Sequence, residues 1–299
     1  MKDLPYQPYL DKIKASNGFI AALDQSGGST PKALRLYGIT ESEYSNEDEM
    51  FEKVHQMRSR IITSKSFTGD RILGAILFEK TMNGKISGMD TADYLWRKKE
   101  VVPFLKIDKG LEEVNDGVQL MKPNPGLEEL LDQAVNKNIF GTKMRSVIKD
   151  VNEKGVAVLV EQQFEIAKII IKKNLVPIIE PEVDIHCENK SEAEQMLFEN
   201  LKSQVEKLTS EQKILLKLTI PNEANLYADF IKHPNVLRVF ALSGGYSRDD
   251  SNRLLTLNNG MLASFSRALT EGLSAQHSDD EFNYILDASI ESIFQASIS

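Results

Sequence analysis

Short apolar runs alternate with longer amphipathic stretches from one end of the chain to the other. Eight runs, at residues 19–23, 72–78, 102–107, 139–144, 175–179, 214–218, 236–242 and 261–265, have the length and continuity of strands buried on both faces. Between them the apolar positions fall three and four apart, the spacing of a helix with one buried stripe. In residues 47–63 that stripe is Met50, Val54, Met57 and Ile61. Residues 158–173 are apolar on one side and end Lys172-Lys173-Asn174, which suits a helix C-terminus. Ser191-Glu192-Ala193-Glu194 has the form of a capping box ahead of Met196 and Leu197. A last helix is expected over residues 279–296. Residues 80–98, with Gly84 and Gly88 among several charges, read as an elaborated loop containing a helix.

Alternation of β and α elements predicts a parallel sheet covered by helices. Eight strands in 299 residues predict an α/β fold of the (β/α)8 barrel type, one domain over residues 1–299. An open doubly wound sheet is the competing architecture. It usually carries a G-x-G-x-x-G loop after its first strand. Here the first run ends Asp24-Gln25-Ser26-Gly27-Gly28, which lacks that spacing.

Composition narrows the function classes. Lys and Arg number 36 against 44 Asp and Glu, a net charge of −8. Such a surface repels phosphate backbones, so no nucleic-acid partner is expected. A local basic pocket for a small anion remains compatible with it. No apolar run reaches membrane-spanning length, and the first residues have no apolar leader, so no membrane partner is expected. Cys187 is the only cysteine, which rules out an intramolecular disulfide and suits the cytoplasm. His55, His186, His233 and His277 lie far apart with no paired spacing, so no metal site is indicated. The sequence leaves homo-oligomer formation open.

Charge placement along the runs is the strongest signal. Run one ends in Asp24, run three in Leu105-Lys106-Ile107-Asp108, and run four in Thr142-Lys143-Met144-Arg145. Run five ends Ile179-Glu180-Pro181-Glu182, and run six holds Lys217 near its end. Residues two apart on a strand share a face. Lys106 with Asp108, Lys143 with Arg145, and Glu180 with Glu182 are therefore expected to point the same way. In a (β/α)8 barrel the C-terminal strand ends build the active site. Lys217 stands out within Ile214-Leu215-Leu216-Lys217-Leu218-Thr219-Ile220. Burial there favours the neutral amine, a nucleophile that forms Schiff bases with carbonyl substrates, and nearby Lys106 and Lys143 favour it further. Each charge also has a structural reading. Asp24 suits a helix N-cap, Lys106 and Asp108 an ion pair, Glu182 a loop support, and Arg145 a brace for Glu180 or Glu182.

An anion site is the second feature. Run seven ends Leu242-Ser243-Gly244-Gly245-Tyr246-Ser247 before a helix expected near Arg248. Consecutive glycines let backbone N–H groups converge on an anion, and a helix N-terminus adds its dipole. Run eight leads into Ser264-Phe265-Ser266-Arg267. Loops after strands seven and eight frequently bind phosphate in barrel enzymes. Ser26-Gly27-Gly28-Ser29 is a weaker second candidate.

These motifs resemble class I fructose-bisphosphate aldolase, the metal-free Schiff-base type, in its bacterial branch. Ala22-Leu23-Asp24-Gln25-Ser26, Leu105-Lys106-Ile107-Asp108-Lys109-Gly110, Thr142-Lys143-Met144-Arg145, Ile178-Ile179-Glu180-Pro181-Glu182, Leu215-Leu216-Lys217, Leu242-Ser243-Gly244-Gly245 and Phe265-Ser266-Arg267 follow in the family's order across nearly the whole chain. The resemblance implies reversible cleavage of fructose 1,6-bisphosphate to dihydroxyacetone phosphate and glyceraldehyde 3-phosphate, with no cofactor. It implies Lys217 as the Schiff-base lysine, Glu180 as general acid/base, Asp24 in C–C cleavage, and Lys143 in proton shuttling or charge stabilisation. Lys106, Arg145, Ser243, Gly244, Gly245, Ser266, Arg267 and Ser29 are the implied substrate contacts. The chain departs from animal members in two ways. It ends Phe294-Gln295-Ala296-Ser297-Ile298-Ser299 without a terminal tyrosine, and Ala33 stands where they have an arginine. Ser29 and Lys32 are the nearby substitutes for the second phosphate. A Schiff-base aldolase or transaldolase for another phosphosugar, and a catalytically silent barrel that binds phosphosugars or a protein partner, are the alternatives.

Overall fold

The computed structural model describes residues 6–25 and 30–299. Eight parallel strands run around it: β1 Phe19–Leu23, β2 Ile72–Leu77, β3 Val102–Lys106, β4 Gly141–Ile148, β5 Val176–Val183, β6 Ile214–Thr219, β7 Val236–Leu242 and β8 Leu262–Ala263. Each pairs in parallel with the next. The Ala22 N–H donates to the Phe265 carbonyl at 3.3 Å, which joins β1 to the chain leaving β8 and draws the sheet into a barrel. All eight predicted strands are present, with helices outside them. No helix among the described residues is long and apolar enough to cross a membrane.

The period of two along each strand separates two cores. Phe19, Ala21 and Leu23 belong to the layer between sheet and helices, whereas Ile20 and Ala22 face a second, inner cluster. The inner cluster also holds Val102 and Phe104 of β3, Val176 and Ile178 of β5, and Leu215 of β6. Two residues further along those strands stand Asp24, Lys106, Glu180 and Lys217. The barrel interior is thus apolar at one end and ionic at the other, and the same alternation that fills the core delivers the charges. Burial on both faces explains why the strands read as continuous apolar runs.

Helix Glu47–Thr63 forms with its expected bounds and buries Met50, Val54, Met57 and Ile61. Asn46 caps it by accepting from Glu49 N–H at 2.9 Å. Helix Asp279–Ser297 closes the chain behind a capping box of Ser278 and Glu281. Residues 80–98 hold two short helices, Glu79–Asn83 and Thr91–Lys99, around a two-stranded hairpin.

Three differences from the expected pattern have physical causes. Strands β4 and β5 run on through their charged residues, because Lys143, Arg145, Glu180 and Glu182 are neutralised within the sheet. The far end of β4 accepts a short antiparallel strand, Val118–Gln119, with Val118 opposite Ile148. The Ser191–Glu194 capping box is not formed. Its helix, Lys190–Val205, starts two residues earlier behind Asn189, and buried Glu194 pairs with buried Lys190 and accepts from Asn222 N–H at 3.0 Å. Helix Tyr6–Ala15 was not anticipated. It plugs the apolar end of the barrel with Tyr9 and Ile13, and Arg238 ties it down by donating to the Ile13 and Ser16 carbonyls at 2.9 and 3.1 Å.

Candidate active site

At the ionic end the strand termini surround a cavity of about 630 Å³. Asp24, Lys106, Lys143, Arg145, Glu180, Glu182, Lys217, Ser243, Gly244, Ser266 and Arg267 all line it. Ser29 and the Ser26–Ser29 glycine turn lie outside the described residues. Lys143 with Arg145, and Glu180 with Glu182, do share a face, as their spacing requires.

Four of these residues form one buried chain of charge. Lys217 Nζ lies 2.9 Å from Glu180 Oε1, and Lys143 Nζ lies 2.9 Å from Glu180 Oε2 and 2.7 Å from Asp24 Oδ2. Strand register produces this order. Arg145 pairs with Glu180 across β4 and β5, and Ile178 pairs with Leu215 across β5 and β6, so Glu180 and Lys217 occupy the next facing positions. The immediate neighbour of Lys217 is therefore a carboxylate, with Lys143 on that carboxylate's far side. Lys143, expected beside Lys217, is separated from it by Glu180. Lys106 is engaged elsewhere, 2.6 Å from Asp108 Oδ1.

The electrostatics of the carboxylates follow from this arrangement. Burial pushes the Asp24 carboxyl up, but Lys143, then Lys217 and Lys106, overcome it and hold the group well below the usual carboxylate range. Burial likewise pushes Glu180 up, and Lys143 and Lys217 pull it below its ordinary value against the opposing Asp24. Burial acts to lower Lys143, yet Asp24, Glu180 and Asp108 raise it well above its ordinary value. Asp24 and Glu180 thus rest as carboxylates on either side of the Lys143 ammonium.

Several structural readings hold alongside the functional ones. Lys106 and Asp108 do form an ion pair. Arg145 braces Glu182 through an Nε–Oε2 contact of 2.6 Å. Asp24 is not an N-cap, because the next described helix begins at Thr30, six residues on, and its carboxylate is taken by Lys143.

The turn after β7 has the backbone that its glycines suggest. Gly244 and Gly245 adopt φ of +59° and +129°. A Cβ on Gly244 would stand 2.7 Å from Ile185 Cγ2, and one on Gly245 would stand 3.4 Å from Arg267 Nη2. The turn after β7 and the arginine after β8 are thus neighbours. The helix that follows, Arg248–Leu255, does not supply its dipole to the cavity as expected. Ser247 caps it by accepting from Asp250 N–H at 3.1 Å, Asp249 and Asp250 fill its first turn, and the lining on this side stops at Gly244. Among the described residues, Arg267 and Lys32 are the two cavity cations without an ion-pair partner, so both are available to an anion.

Two residues of this region escaped the sequence reading. Gln25 donates from Nε2 to Ser266 Oγ, and Arg58 donates from Nη2 to the Gln25 carbonyl. Arg58 sits one position from the apolar stripe of its helix, and Met-Arg-Ser-Arg reads as a solvated face. No local signal marks it.

Comparison with known proteins agrees with the geometry. The family model for class I fructose-bisphosphate aldolase matches residues 10–227. A class 1 fructose-bisphosphate aldolase of Synechocystis sp. is 59% identical over 295 residues, covering 99% of this chain and 98% of the relative. The corresponding Porphyromonas gingivalis protein is 57% identical over 289 residues, covering 97% and 98%. In fold, the chain matches the fructose-bisphosphate aldolase of Plasmodium falciparum, solved with TRAP and a small-molecule inhibitor, at a TM-score of 0.76 and 20% identity over 99% of this chain and 96% of that one. A Corynebacterium glutamicum structure matches at a TM-score of 0.56 and 11% identity over 99% and 94%. With a matching family model over most of its length and relatives well above half identical, the chain belongs to the class I fructose-bisphosphate aldolases.

Proposed function

We propose that this chain reversibly cleaves fructose 1,6-bisphosphate to dihydroxyacetone phosphate and glyceraldehyde 3-phosphate, with Lys217 forming the Schiff base. The observation that carries the residue assignment is the chain Lys217–Glu180–Lys143–Asp24. Glu180 touches the Lys217 ammonium and accepts its proton, which frees the amine to attack the C2 ketone. Lys217 is one of the cations that depress Glu180. As its charge is lost, the proton affinity of Glu180 rises at the moment that it must hold a proton. Glu180 then returns the proton to the carbinolamine hydroxyl, which leaves as water and yields the iminium. Asp24 takes the proton of the C4 hydroxyl. The C3–C4 bond breaks, its electron pair moves through the iminium to nitrogen, and the aldehyde departs. The enamine is protonated at C3, and hydrolysis of the new iminium releases the ketose and regenerates the amine. Lys143, between the two carboxylates, keeps both ionised at the start and stabilises them as protons move.

The C1 phosphate occupies the turn Ser243–Gly245 beside Arg267, whose guanidinium meets it in a charge-assisted contact. Lys32, Lys106 and Ser29 serve the other phosphate in place of the arginine that Ala33 replaces. The substrates are phosphorylated sugars, and a cytoplasmic location fits a glycolytic reaction and a chain with a single cysteine. A barrel that only binds phosphosugars has no use for a buried lysine coupled to a proton acceptor.

Borohydride reduction with dihydroxyacetone phosphate tests the assignment. It is expected to inactivate the protein and to add one reduced triose phosphate to Lys217, located by peptide mass spectrometry. Label on Lys143 or Lys106 would overturn it. Lys217→Met is expected to abolish both trapping and cleavage while the far-UV circular dichroism stays unchanged.

A further inference from the structure

Arg58 lies outside the charge chain, yet it is one of the most deeply buried side chains of the molecule, 1% exposed. It belongs to helix Glu47–Thr63, and its guanidinium reaches over the top of the sheet. Nη1 donates to Thr81 Oγ1 at 2.7 Å, just beyond β2, and Nη2 donates to the Gln25 carbonyl, just beyond β1. Its Nε has no hydrogen-bond partner, and no carboxylate pairs with it among the described residues. Burial pushes the guanidinium down to about 10, against the opposing charge of Asp24.

A buried cation without a paired carboxylate is costly, because two neutral hydrogen bonds do not repay its desolvation as an opposite charge would. The only hydrogen-bond partners of Arg58 among the described residues are Thr81 and the Gln25 carbonyl. What the charge and its fork do is join two strand exits. The Gln25 carbonyl belongs to the residue that follows Asp24, so holding it fixes the backbone by which Asp24 leaves β1. Gln25 extends the tie through Nε2 to Ser266, beyond β8. Thr81, Gln25 and Ser266 are thereby locked in series across β2, β1 and β8.

We propose that Arg58 is a positioning residue for the C–C cleavage step, holding Asp24 at the C4 hydroxyl by bridging the Gln25 carbonyl to Thr81. The inference rests on the assignment of Asp24 to that hydroxyl. It separates two half-reactions. Dihydroxyacetone phosphate has no C4, so its imine forms without Asp24 in that role, whereas cleavage of the bisphosphate requires it. Displacement of a reacting group by about 1 Å costs on the order of 100-fold in rate.

The test uses Arg58→Lys, which keeps a cation but has no fork to reach both oxygens, and Thr81→Val, which removes one anchor at constant shape. Arg58→Lys is expected to lower kcat for fructose 1,6-bisphosphate cleavage roughly 10- to 100-fold. Thr81→Val is expected to lower it in the same direction by less. KM and the rate of borohydride trapping with dihydroxyacetone phosphate are expected to stay within about threefold in both, a change too small to signal a lost phosphate contact. In an Asp24→Asn background, Arg58→Lys is expected to have little further effect, because it acts through Asp24. Parallel losses of cleavage and trapping would assign Arg58 to general structure and overturn the proposal. So would unchanged cleavage in both folded variants, or full additivity with Asp24→Asn. Wild-type cleavage by Asp24→Asn alone would instead remove the underlying assignment, and the inference with it. Should Arg58→Lys fail to fold, the kcat-to-trapping split in Thr81→Val decides the question.

Discussion

Replacing Lys143 by methionine leaves Asp24 and Glu180 facing one another across a gap that held their shared cation. Lys143 is the largest of the charges that depress each carboxylate, and its Nζ is 2.7 and 2.9 Å from them. Removing one partner of a buried pair destabilises by about 3–5 kcal/mol when the remaining charges stay ionised. The protein has an alternative, which is to protonate one carboxyl. From an ordinary carboxylate value near 3.9, that costs about 1.4 kcal/mol per pH unit, hence roughly 4 kcal/mol at pH 7 and about 1.5 kcal/mol at pH 5. The variant is therefore expected to lose about 4 kcal/mol at pH 7 and only about 1.5 kcal/mol at pH 5. The sign is opposite to that of the parent. In the parent, the folded-state values of Asp24 and Glu180 lie below their unfolded values, so their stabilisation is present above the unfolded values and is lost only as pH falls through the folded ones. In the variant a folded-state value lies above the unfolded one, so stability is lost as pH rises from about 4 through it. At roughly 2–4 °C per kcal/mol, the gap in Tm between parent and variant should shrink from about 10 °C at pH 7 to about 4 °C at pH 5. Thermal unfolding followed by circular dichroism at pH 5, 6, 7 and 8 measures it. A gap independent of pH, or one that widens in acid, would refute the argument that Lys143 holds both carboxylates ionised.

Three other outcomes are expected. Glu180→Gln should slow imine formation in single turnover about 10²–10⁴-fold with substrate binding largely kept, as for loss of a general acid/base; near-normal imine formation would remove Glu180 from that role. Arg267→Ala should reduce kcat/KM for phosphorylated ketose roughly 10- to 100-fold, the worth of a hydrogen bond to a charged group, and affect unphosphorylated dihydroxyacetone far less; equal losses at unchanged Tm would contradict the phosphate assignment. Exhaustive EDTA treatment should leave cleavage unchanged, because the iminium is the electron sink, and a loss restored by zinc would contradict the Schiff-base route.

Much of the site was legible in the sequence because two simple regularities coincide there. Lys217 is conspicuous among Leu215, Leu216 and Leu218, and a charge in such a run must have a buried partner. Period two along the strands then places Glu180, Lys143 and Asp24 on its side of the sheet. What escaped depends on tertiary placement. Arg58 lies in a segment with the composition of a solvated helix face, and only the docking of that helix over β1 and β2 buries it. Glu194 has the spacing of a cap, but the pull of Lys190 at the bottom of the same turn outweighs the exposed N-terminal donors. Strands β4 and β5 were cut short at their charges, because a charge normally ends an apolar run unless its counter-ion sits on the neighbouring strand. Helix Tyr6–Ala15 has few apolar residues, and it is stable because Tyr9 and Ile13 close the barrel floor.

The turn Ser243–Gly245 also bears on how substrate preference in this protein can change. A side chain on Gly244 would meet Ile185 at 2.7 Å, one on Gly245 would meet it at 3.1 Å, and both backbones are left-handed. A side chain at either position therefore strains the backbone and crowds Ile185. The end proposed to hold the C1 phosphate is thus resistant to gradual adaptation. Evolutionary drift, or an engineer seeking another ketose, has another part of the lining to work with, where Lys32, Ala33, Leu36 and Tyr37 border the same cavity and none of them has a left-handed backbone.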